Sequence, residues 1–117
     1  MKTAKIAVLS LLTAGLLFSV SFAAGGDVAK GKAMFNDATL NGAPGVNSCN
    51  SCHPDGKALE KAGAKGRKDW TNPGGTWLAL EDANNVCVIM AVKGKALDPR
   101  SPEMMDLVAY IKSLAKK

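Results

Sequence analysis

The chain has 117 residues, a formal net charge of +5, 47% hydrophobic residues and 5% aromatic residues. This length suits one domain and excludes two. The basic residues are scattered rather than gathered into a stripe, which argues against nucleic-acid binding.

The chain opens as an export signal. Lys2 and Lys5 form a positive start, Ile6 to Val20 is an apolar stretch, and Ser21-Phe22-Ala23 places small residues where a signal peptidase reads. Residues 1–23 are therefore expected to be a signal peptide cleaved after Ala23. Residues 24–117 remain as the mature domain, exported to the periplasm or beyond. Losing Lys2 and Lys5 takes the charge from +5 to +3. The alternative is an uncleaved membrane anchor, because the apolar run nears the roughly 20 residues that span a bilayer.

Asp27 to about Asn36 predicts a short helix, capped by Asp27, with Val28, Ala29, Ala33, Met34 and Phe35 as its apolar stripe. Gly31 lowers helix propensity there, which points to close packing. Residues 37–48 read as a loop, with turn chemistry at Asn41-Gly42-Ala43-Pro44-Gly45. Pro54-Asp55-Gly56 is another turn, and Ala58 to Ala64 suggests a short helix. Residues 66–76 read as irregular around Asn72-Pro73-Gly74-Gly75. A helix is expected from Thr76 or Trp77 to Lys93, closed by Gly94. Ser101-Pro102-Glu103 starts a last helix running to about Ala115, with Met104, Leu107, Val108, Ile111 and Leu114 on one face. No segment reads as a strand, so the fold class expected is all-α with long loops.

Three cysteines and one histidine occur in the chain. Cys49-Asn50-Ser51-Cys52-His53 fits C-x-x-C-H, the attachment pattern of c-type haem. Two thiols one helical turn apart can reach the two vinyl groups on one porphyrin edge, which holds the adjacent His53 under the iron. One covalent haem c is the cofactor this predicts. The rival readings are a thioredoxin-like redox pair, a simple disulfide, and a zinc site assembled from Cys49, Cys52, His53 and Cys87. Because His53 is the sole histidine, bis-histidine ligation within one chain is excluded.

Gly26-Asp27-Val28-Ala29-Lys30-Gly31-Lys32-Ala33-Met34-Phe35 resembles the N-terminal helix of class I cytochromes c. Asp106-Leu107-Val108-Ala109-Tyr110-Ile111-Lys112 resembles their C-terminal helix. The resemblance implies a small cytochrome c fold, its two terminal helices crossed at Gly31, Phe35 and Tyr110 around one covalent haem. The chain departs from the pattern in the long loop before Cys49 and in a middle without the usual methionine-bearing loop. Asn84-Asn85-Val86-Cys87, with Lys93-Gly94-Lys95-Ala96-Leu97 and Ser101-Pro102-Glu103-Met104, is similar to haem domains of the diheme cytochromes of thiosulfate oxidation. There, and in small anammox cytochromes, a cysteine opposes the histidine on iron.

That resemblance implies Cys87 as the sixth ligand, so His53 and Cys87 would be the metal ligands. A buried apolar thiol is the bland alternative for Cys87, and Met90, three residues on, is another ligand candidate. Met34 and Met104 read as core, and Met105 lies on an adjacent face. Thiolate ligation stabilises ferric iron and lowers the potential. The expected function is one-electron transfer to a redox partner protein, without enzymatic activity. The alternative is an NO- or CO-binding sensor subunit, with a homo- or heterodimer as a further expectation. Trp70 or Trp77 could bond a haem propionate through its indole N–H, and Arg67, Lys68 or Arg100 could pair with the same carboxylates.

Overall fold

Helix α1 begins where Asp27 can cap it. In the computed structural model, which describes residues 25–115, α1 spans Val28–Phe35, and the Asp27 carboxylate accepts the Lys30 N–H at 3.0 Å. This satisfies one of the donors that a helix start leaves without a partner. The leader read at 1–23 and its anchor alternative lie outside the described residues. Among those residues, no helix is long and apolar enough to cross a membrane.

The last helix, α4 (Pro102–Ser113), follows the sequence pattern closely. Ser101 Oγ accepts the Met104 N–H at 3.2 Å, and Pro102 takes a first-turn place where a missing N–H does no harm. Helices α1 and α4 pack against each other. A Cβ on Gly31 would collide with the Asp106 carbonyl, so only glycine permits this approach. Phe35 meets Tyr110 edge-on, with centroids 5.0 Å apart and planes 64° apart. Such pairs add about 0.5–1.5 kcal/mol beyond the area they bury. Asp106 Oδ1 also accepts the Asp27 N–H at 2.6 Å, tying the start of α1 to α4. Around this crossing Phe35, Leu80, Leu97, Met104, Leu107 and Ile111 form the main core. Leu40, Ala43, Val88 and Val92 form a smaller one beside it, and Met34 and Cys49 pack against both.

The expectation of an all-α fold is corrected. Trp70–Asn72 (β1) and Gly75–Trp77 (β2) pair as an antiparallel hairpin, with Trp70 opposite Trp77 and Thr71 opposite Thr76. The domain is therefore mixed: short helices with a small two-stranded sheet. The sequence concealed this because each strand has three residues, too few to display alternation. Asn72 is what holds the hairpin. Its Oδ1 accepts the Gly74 N–H at 2.9 Å and the Trp77 indole N–H at 3.2 Å, while its Nδ2 donates to the Ala83 carbonyl at 3.0 Å.

Two further expectations change. Residues 58–64 form successive turns rather than a helix, with Ala58 at φ 69°. The helix expected from Thr76 or Trp77 starts later, as α3 (Leu80–Cys87), and passes directly into a π-helical segment at Val88–Val92. Lys93, not Gly94, takes the left-handed closing conformation, at φ 68°. Gly94 serves a different purpose: a Cβ there would strike the Leu40 carbonyl.

Candidate functional site

The C-x-x-C-H segment forms one isolated helical turn, α2 (Cys49–Cys52). Its two central residues hold its ends. Ser51 Oγ accepts the Ser48 N–H at 2.9 Å, and Asn50 Oδ1 accepts the Asp55 N–H at 2.8 Å. The turn stops at His53 because Pro54 follows, and a residue before proline is driven out of the helical region. His53 accordingly sits at φ −125°, ψ 69°. The 3₁₀ turn Pro54–Gly56 then brings the Lys57 carbonyl 3.0 Å from His53 Nδ1. A carbonyl only accepts, so Nδ1 carries a proton, and in the neutral ring the lone pair is on Nε2. This is the tautomer a metal-ligating imidazole needs, with its second nitrogen anchored.

Cys87 ends α3. It and His53 line two adjoining cavities, of about 230 Å³ and about 50 Å³. The smaller is walled by Phe35, Cys49, Leu59, Asn84, Leu107 and Ile111, and is mostly apolar. The larger continues past Lys61, Arg67, Trp70 and Thr71. Met90 lines neither cavity and is 54% exposed. Its sulfur lies toward the hairpin turn at Gly74. Met34, Met104 and Met105 line neither cavity as well. Of the sulfur donors considered for the sixth position, Cys87 alone shares these walls with His53.

Burial pushes the Cys49 thiol up to about 11, and the nearby Cys87 charge adds to the shift. Burial also raises the Cys87 thiol, with the Cys52 charge as a second cause. A redox-active pair needs a thiol whose ionisation is made easier, so Cys49 is poorly suited to that chemistry. A thioether has no proton to lose, and burial of the Cys49 sulfur does not oppose it. A Cys87 thiolate in the same place needs a cation beside it, as a coordinated metal supplies. No three described His, Cys, Asp or Glu side chains converge as a metal-binding group. The four-ligand zinc centre is therefore not assembled.

The indole N–H of Trp70 donates to the Ala62 carbonyl at 2.8 Å, and that of Trp77 to Asn72. Both indole N–H groups bond within the protein. Arg67 is also oriented by backbone, through Nε to the Asp69 carbonyl at 2.7 Å and Nη1 to the Lys61 carbonyl at 3.1 Å. It lines the larger cavity, whereas Lys68 and Arg100 do not. Sequence reasoning missed Asn84, which lines both cavities. Its place three residues before Cys87 was the available signal. Comparison of the chain with protein-family models, with curated proteins and with solved structures returned no match.

Proposed function

We propose that the protein is an exported, periplasmic c-type cytochrome that carries one haem c and passes single electrons to a redox partner protein. One arrangement carries the reading: the imidazole next to the paired cysteines is held by its Nδ1, and it shares a cavity with a third cysteine. Cys49 and Cys52 would bind the cofactor as thioethers from the two ends of α2. His53 would offer Nε2 to the iron, while the Lys57 carbonyl keeps the ring from turning. Cys87 offers its sulfur from α3. Phe35, Leu59, Leu107 and Ile111 exclude water from the inner wall. A haem held there would supply a one-electron couple, and a Cys87 thiolate among its ligands would favour ferric iron and a low potential. The protein contributes attachment, ligand orientation and dielectric, and the reading assigns it no enzymatic turnover.

Low-temperature EPR of the oxidised holoprotein beside a Cys87→Ser variant tests this assignment. The expected result is a low-spin ferric signal in the parent that changes when the sulfur is removed. Identical spectra would remove Cys87 from the iron.

A further inference from the structure

We infer that the side-chain amide of Asn84 is a hydrogen-bond donor to the Cys87 sulfur, and that it sets how much charge this sulfur gives to the iron. The inference deepens the His53/Cys87 reading and rests on it. Asn84 and Cys87 lie three residues apart in α3 and line the same two cavities. Residues at that spacing are neighbours on one helix face. A helical side chain also leans toward the preceding turn, so an Asn84 amide turned away from Met104 Sδ, which it reaches in this structure, comes within range of the Cys87 sulfur. The residue four before Cys87 is Ala83, which has no side-chain donor.

Asn84 is poorly satisfied where it is. Its Nδ2 reaches Met104 Sδ at 3.9 Å, a neutral thioether and a weak acceptor. The neighbouring Asn85 is fully engaged, accepting from and donating to the Leu97 backbone at 2.8 Å. In the smaller cavity Asn84 is the one amide among apolar and sulfur-bearing walls and His53. A thiolate beside this amide is a far stronger acceptor. Hydrogen bonds to a ligating sulfur withdraw charge from the metal and raise its potential. A hydrogen bond to a charged acceptor is stronger than one to a neutral acceptor, so the Asn84 bond favours the oxidation state that leaves more negative charge on the sulfur.

The test compares holoprotein with Asn84→Leu, which keeps the branched shape and heavy-atom count and removes the donor, and with Met104→Leu, which removes the competing acceptor. Midpoint potential, EPR g-values and the iron–sulfur stretch by resonance Raman are measured for each. Asn84→Leu should shift the redox equilibrium toward ferric iron about tenfold, close to 59 mV for one electron, and raise the iron–sulfur frequency. Met104→Leu should leave both near the parent, and Asn84→Gln should restore part of the shift. Adding Cys87→Ser to Asn84→Leu should abolish the difference that the Asn84 change makes. A loss of thermal stability with unmoved spectra and potential would reduce Asn84 to a structural role and overturn the inference alone. Colourless protein, or Cys87→Ser spectra equal to the parent, would overturn the underlying ligand reading and this inference together.

Discussion

Asp37 Oδ1 accepts both the N–H of Thr39, at 2.8 Å, and its hydroxyl, at 2.6 Å. The hydroxyl bond and then the backbone bond favour the ionised carboxyl, so Asp37 titrates below its ordinary value of 3.8. Its folded-state value is thus depressed relative to the unfolded chain. The stabilisation it gives the loop is complete above the unfolded value, about 3.9, and is lost as the pH falls through the folded one. Thr39→Ala should return Asp37 toward 3.8, read from its carboxyl carbon in an NMR titration. An unmoved titration would mean that the hydroxyl bond is not populated in solution. At this scale the C-x-x-C-H turn was legible, since Cys49, Cys52 and His53 adjoin by covalent sequence. The anchoring of His53 by Lys57 was not, because a main-chain carbonyl acts there and side-chain identity carries no sign of it. Only the proline after His53 hinted at the reorientation.

Among the elements, α1 and α4 were readable because each carries its own start signal, Asp27 in one and Ser101-Pro102 in the other. Their crossing rests on Gly31. Gly31→Ala should destabilise the protein by about 1–3 kcal/mol through overpacking, seen as a lower denaturant midpoint at unchanged slope. A neutral outcome would mean that α1 and α4 do not touch at this point. The hairpin was not readable, because its strands are held less by propensity than by the Asn72 side chain bridging to Ala83 on α3. The turns at 58–64 misled in the opposite direction. Their alanine and leucine content favours a helix, yet the chain there must bend around the cavity, and Ala58 takes a left-handed conformation.

For the whole molecule, the proposed attachment makes a sharp prediction. Protein from a maturation-competent host should have the mass of residues 24–117 plus one haem, and should keep its colour in acidified organic solvent. Pigment released into the solvent would exclude the thioethers, and a mass that includes residues 1–23 would exclude leader cleavage. The sequence by itself determined the features encoded by near neighbours: the C-x-x-C-H turn and the two capped terminal helices. Tertiary structure alone decided that β1 and β2 form, that Cys87 rather than Met90 shares a wall with His53, and that Asn84 stands beside it. The physical reason is range. Caps, turns and paired thiols act over three or four residues, whereas a cavity is closed by side chains from α1, α2, α3 and α4 that meet only once the chain has packed.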